Sequence, residues 1–178
     1  MRSLGQPSSA FADDHGEADP ALRATLASAY SGGNEPYLRA VAALCAARLL
    51  LPIVATGDEG GDGPDPDRHA EMAAVQVQAA NGAKAVCVFT GMDALTAWQP
   101  TARPVPCTLD DVAATAEETA SMAVLVDLEG PHPLVIEHAL IKELAQGHRL
   151  VELSPGEFGW VFLDQASGGR PDADEAGR

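Results

Sequence analysis

Lysine is almost missing from this chain: Lys84 and Lys142 are the only two in 178 residues. With arginine included there are 11 basic against 26 acidic residues, a net charge of −15. Phosphate backbones and anionic lipid are held by clustered Lys and Arg, so this balance argues against nucleic acid and membrane as partners. Aromatics are only 4% of the chain, which leaves the core to Ala, Val and Leu. No apolar run approaches the roughly 20 residues of a membrane-spanning helix. The opening, MRSLGQPSSAFADDHGE, lacks the apolar middle of a secretory signal and carries acids instead. The three cysteines, Cys45, Cys87 and Cys107, are odd in number and widely spaced, which suits neither a disulfide framework nor a zinc box. Cys45 and Cys87 lie inside apolar segments, so buried thiols in a reducing compartment, the cytoplasm, are the expectation for them.

Recognisable chemistry is scarce as well. There is no G-x-x-x-x-G-K-[ST] loop, and Gly60, Gly61 and Gly63 lack the strand and helix that frame a dinucleotide fingerprint. The acidic stretch Asp58, Glu59, Asp62, Asp65, Asp67 is out of calcium-loop register, because the twelfth position from Asp58 is His69. His132, His138 and His148 do not fall four apart on one helix, so they read as surface or capping residues. Thr90 lies at a strand-to-helix corner, but FTGMD is a cap and not a nucleophile elbow. Cys107 precedes a helix start, where a thiol can be acidified, yet Asp110 and Asp111 oppose a thiolate there. No catalytic residue, cofactor or metal is therefore expected.

What is present is clear alternation of short elements. Residues 1–17 read as a flexible tail, 18–163 as one domain and 164–178 as a disordered tail. Asp19-Pro20 opens a helix carrying Leu22, Leu26 and Tyr30 at spacing four, and Asn34-Glu35-Pro36 opens a second with Leu38, Val41, Ala42 and Cys45 inward. LLLPIVA (49–55) is a strand that its proline assigns to an edge or a bulge. The loop after it, 57–71, is Gly-, Pro- and Asp-rich. Met72–Ala79 and Ala83–Phe89 form two strands joined by Asn81-Gly82, a pair that tolerates positive φ in a two-residue hairpin. Thr90 caps a helix with Met92, Leu95 and Trp98 on its apolar face. After RPVP, Thr108 and Asp111 predict a capped helix. MAVLVDL (122–128) and Pro133–Ile136 are strands, His138–Gln146 is a helix ended by Gly147, and Arg149–Leu153 and Phe158–Leu163 are further strand candidates. Antiparallel pairs with flanking helices make an α+β fold, a mixed, largely antiparallel sheet.

LLLPIVAT, EMAAVQVQAANGAKAVCVFTGMDALTAW, RPVPCTLDDVAATA and MAVLVDLEGPHPLVI together resemble the SseB family, named for enhanced serine sensitivity, over about residues 20–153. The resemblance implies a small cytoplasmic bacterial α+β domain and brings no catalytic residues with it. High Ala and Arg with little Lys also fits a GC-rich bacterial genome. The expected role is non-catalytic protein–protein contact, with an unknown partner or with itself as a homodimer. Trp98 and Arg103 near a helix exit, and Trp160 among the alternating aromatics Phe158, Trp160 and Phe162, are the candidate surface. The plainer reading, and the one preferred for Trp98, is that it caps the domain's own core. The rival reading, prompted by the family name, is a sensor of amino-acid-related metabolites.

Overall fold

The computed structural model describes residues 14–55 and 72–162. The acidic loop and the remainder of both tails lie outside the described residues. Residues 14–17, read above with the leading tail, lie against the domain.

Helix α1 (Pro20–Ser28) starts as its sequence predicts: the Asp19 carboxylate accepts the Ala21 amide at 2.8 Å, with Pro20 at the first helical position. Leu22 and Leu26 are buried, but Tyr30 is not. The helix ends at Ser28, so the four-residue spacing no longer aims Tyr30 inward, and it stands 65% exposed, stacked on Tyr37. Helix α2 (Glu35–Cys45) buries Ala40, Val41, Leu44 and Cys45.

Strand β1 (Leu49–Ala55) is the centre of a three-stranded sheet, between β2 (Met72–Ala74) and β5 (Arg103–Cys107). That overturns the edge or bulge expected from Pro52. The position is tolerated because Pro52 faces Pro104 in a register where neither would donate to the other, while its carbonyl accepts the Val75 amide at 3.1 Å. The expected continuous strand 72–79 is broken at Val75 into β2 and β3 (Gln76–Gln78). Val75 bonds to Pro52 on one side and Cys87 on the other, so this segment switches partner from β1 to β4 (Lys84–Val88). Leu50 and Phe89 exchange both backbone hydrogen bonds and close the fork.

The β3–β4 connection also differs from a two-residue hairpin. The Gly82 amide donates to the Ala79 carbonyl and the Ala79 amide to that of Ala83, with only Gly82 at positive φ (+85°). This is a three-residue loop with a left-handed glycine, in which Asn81 keeps ordinary φ.

Strand β4 lies between β3 and β6 (Ala123–Val126), and β7 (Leu134–Glu137) closes the four-stranded sheet. The β4–β6 pair is parallel; the other strand pairs are antiparallel. Between β4 and β6 run α3 (Met92–Trp98), β5 and α4 (Leu109–Glu118). Helix α4 has the predicted capping box between Thr108 and Asp111. After β7, α5 (His138–Ala145) ends at Gly147, whose φ is +81°. The hairpin β8 (His148–Ser154) and β9 (Glu157–Phe162) forms a separate two-stranded sheet packed on α2 and α5.

Period-two alternation sorts the strand residues between two apolar layers. Leu49, Leu51, Val86, Val88, Val124 and Val126 join Leu44, Val112, Ile141 and Leu22 from α1, α2, α4 and α5. Leu50, Cys87 and Phe89 face the other way and are covered by Ala94, Leu95 and Trp98 of α3. The architecture is α+β; among the described residues, α1, α2, α4 and α5 cover one face of the strands β1, β4 and β6, and α3 covers the other.

Candidate functional site

The two parallel strands end side by side, and polar side chains gather there. Asp127, just past β6, is fully buried and takes positive φ (+50°), a conformation Asp tolerates better than most residues. Its carboxylate accepts the Thr90 amide at 2.8 Å and the Thr90 hydroxyl at 2.7 Å. Arg23 reaches in from α1: its Nε donates to Thr90 Oγ1 at 2.6 Å and lies 3.3 Å from Asp127 Oδ2. The rest of that guanidinium forks onto Asp93 at 2.9 and 3.2 Å. Burial pushes the Asp127 carboxyl above its ordinary range, against the pull of the Thr90 bonds and Arg23. Thr90 is therefore not the cap of α3 that its sequence position predicted. Gly91 is the cap residue, and the hydroxyl is committed to Asp127.

A second arginine, Arg48 at the foot of β1, reaches the same strand ends. It donates to the Thr90 carbonyl at 3.0 Å and to the Glu17 carbonyl, and its Nε lies 2.7 Å from the Asp14 carboxylate. The Gly16 carbonyl accepts the Met92 amide at 2.8 Å. Residues 14–17 thus form a short strap across the end of β4. Gly91 admits it: a Cβ there would stand 2.7 Å from that of Ala18. Composition and spacing point to none of these contacts, which join residues dozens of positions apart.

The predicted surface residues are dispersed. Trp98 is half-buried and packs on Phe89, with ring centroids 5.3 Å apart. Arg103 is exposed on β5. Trp160 is half-buried on β9 and packs against the larger core beside Phe158. The three do not form one patch, since the tryptophans belong to different apolar layers.

Strand edges separate more sharply. Leu50 spends both backbone groups on Phe89, so even positions of β1 point away from β5, and those opposite them, Pro104 and Pro106, point outward. Proline there removes two donors from the exposed edge without costing a ladder bond. On β7, the Val135 amide donates to the Tyr30 hydroxyl at 3.2 Å and the Val135 carbonyl accepts the Tyr37 hydroxyl at 3.0 Å. Strand β9, EFGWVF, has neither proline nor lysine. Its hairpin turns Trp160 and Leu150 inward and Val151, Leu153, Gly159 and Val161 outward, with Phe162 exposed at its end against His148.

All three thiols are buried and unpaired. Burial, then the charge of Asp111, pushes Cys107 up to about 12, and burial lifts Cys87 to about 11. The histidines lie apart: His148 Nδ1 is 2.9 Å from Glu143, while His138 Nδ1 is 3.6 Å from Glu117, too far for a hydrogen bond. Among the described residues no group of three or more His, Cys, Asp or Glu is placed to hold a metal ion. Nor is any helix among them long and apolar enough to cross a membrane.

No match was found among curated proteins or among solved structures. A family model, SseB protein N-terminal domain, matches residues 22–143, a span that holds strands β1 to β7 and ends before the β8–β9 hairpin. With more than half of its length matched, the chain belongs to the SseB family.

Proposed function

We propose that the domain is non-catalytic and acts through protein–protein contact, with a second copy of the chain as the partner its surface suits best. The observation carrying this reading is the outer side of the β8–β9 hairpin. Leu153 and Val161 are 69% and 39% exposed on that face, and Phe162, 68% exposed, stands at the end of β9 on the opposite face. Exposed apolar side chains on a sheet without edge protection favour strand pairing with another chain. Prolines and tyrosine hydroxyls close β5 and β7 to such pairing, so the hairpin is better suited to it than either. The non-catalytic part of the reading is supported by the thiols, which burial holds protonated.

The contact surface moves from the tryptophans to the residues beside Trp160. Both indoles spend their area on the chain's own layers. Two copies each carrying −15 repel at long range, and salt screens that repulsion within about 8–10 Å. Self-association should therefore strengthen between 0.05 and ~0.3 M salt. Sedimentation equilibrium of the whole chain provides the test. The parent should dimerise, Leu153→Lys with Val161→Lys should be monomeric and folded, and Arg103→Ala should match the parent. A monomeric parent at every salt concentration, or a dimer untouched by the double lysine variant, overturns the proposal.

A further inference from the structure

We propose that residues 14–17 are a displaceable strap occupying a carboxylate-binding site centred on Arg48. The inference is independent of the hairpin reading and concerns the opposite kind of surface, a polar one at the end of β4. The strap presents one carboxylate and two carbonyls to the domain. Asp14 Oδ2 lies 2.7 Å from Arg48 Nε, the Glu17 carbonyl takes an Arg48 Nη2 hydrogen, and the Gly16 carbonyl takes the Met92 amide. Arg48 itself is only 15% exposed and is fixed from behind by the Thr90 carbonyl, at 3.0 Å. A guanidinium held on Nη1, with Nε against a carboxylate and Nη2 on a neighbouring carbonyl, presents one charged edge that a free carboxylate can match.

What holds the strap is mostly polar, with buried Gly16 lying against the Met92 side chain. Its four residues are Asp14, His15, Gly16 and Glu17, and none inserts an apolar side chain into either layer. Hydrogen bonds of this kind exchange with water for a small net gain, and segments lacking buried apolar contact open most easily. Asp14 also satisfies itself locally, accepting the Gly16 amide at 3.0 Å, so it can leave Arg48 without losing every partner. Once the strap departs, Arg48 Nε, Arg48 Nη2 and the Met92 amide lose the partners that the strap supplied. An incoming carboxylate restores the ion pair that Asp14 made and offers Arg48 Nη2 an acceptor in place of the Glu17 carbonyl. Arg23, by contrast, is held by Thr90, Asp127 and Asp93, none of which belongs to the strap.

The test uses the whole chain, acetate as probe, and the NMR signals of Arg48 Nε–H and the Met92 amide. Asp14→Ala removes the internal competitor. Acetate should then move both signals saturably, with a dissociation constant at least ~10-fold below that of the parent, which corresponds to about 1.4 kcal/mol. Arg48→Lys in the Asp14→Ala background keeps the charge but loses the fork, and should abolish saturation. Gly91→Ala opens the strap by a separate route, by crowding Ala18, and should reproduce the gain if Asp14→Ala proves poorly folded. The proposal is overturned if acetate saturates neither signal in folded Asp14→Ala or Gly91→Ala chains. Equal affinity in parent and opened chains, or equal shifts with chloride at the same ionic strength, would overturn it too.

Discussion

Thr90 and Asp127 are 37 residues apart in sequence, yet the amide and the hydroxyl of the first both donate to the carboxylate of the second, at 2.8 and 2.7 Å. The pair joins the ends of the two parallel strands, and Arg23 ties α1 to it. Removing the carboxylate with Asp127→Ala would leave the Thr90 amide and hydroxyl without their acceptor and Arg23 without its buried counter-charge. Breaking a buried charge-bonded group in this way costs about 3 kcal/mol. Chemical denaturation should show that loss, and a variant within 0.5 kcal/mol of the parent, the usual range for a neutral surface change, would mean the network is ornamental.

Asp127 also predicts a pH dependence, and its sign is opposite to that of a surface ion pair. Its folded-state carboxyl titrates above the unfolded one because burial disfavours the charge. The folded protein therefore holds this proton more tightly, and stability from this group is full below the unfolded value, near 3.9, and falls as pH rises through the folded value. Asp127→Asn lacks the titration. The stability advantage of the parent over Asp127→Asn should shrink as pH rises from about 4 toward neutrality. A gap that widens over that range would show that Arg23, rather than burial, governs the group.

Trp98 offers a direct separation of core from contact roles. Its ring lies on Phe89 and closes the layer formed by Leu50, Cys87 and Leu95. Trp98→Ala should lower stability by about 2–3 kcal/mol, less than a fully buried indole because one side faces water. Its dimerisation constant, measured where the variant remains folded, should stay unchanged. Unaltered stability with lost association would restore Trp98 to the contact surface.

Local chemistry was legible where neighbours in sequence decide it. Asp19-Pro20, the Thr108–Asp111 box and Gly147 each act within one turn, and each marked its helix correctly. Val86, Val88, Val124 and Val126 were likewise legible as interior strands because both faces of the sheet are covered. Pro52 misled because proline's cost depends on which way its missing N–H would point, and register sets that direction. Thr90 misled for a similar reason: a hydroxyl at a helix start is a cap unless a distant carboxylate claims it. Arg23, Arg48 and Asp14 left no trace in composition or periodicity, since their meaning arises only when the strand ends and the strap meet.

The free thiols give a prediction that needs no variant. Cys45, Cys87 and Cys107 are all buried, and Cys107 Sγ donates weakly to the Leu49 carbonyl at 3.7 Å. Thiolate, the reactive form, is suppressed wherever burial raises the thiol's proton affinity. At pH 8 a disulfide reagent should label essentially none of the three in the folded chain within minutes, and all three in guanidinium. Rapid native labelling of Cys107 would reopen a nucleophilic role for it.

The two prolines of β5 can be tested as edge protection rather than as loop formers. Their amide positions face outward, so Pro104→Val with Pro106→Val restores two donors and adds β-branched side chains to an exposed edge. No ladder bond within the domain is lost, so unfolding free energy should change by less than about 1 kcal/mol. Light scattering on concentrated samples should nevertheless rise well above the parent, and the new association should persist when Leu153 and Val161 are both lysine. That persistence distinguishes β5 pairing from the hairpin contact, because the two edges lie in separate sheets. If the double valine variant stays as monodisperse as the parent in the lysine background, proline is not what keeps β5 from pairing.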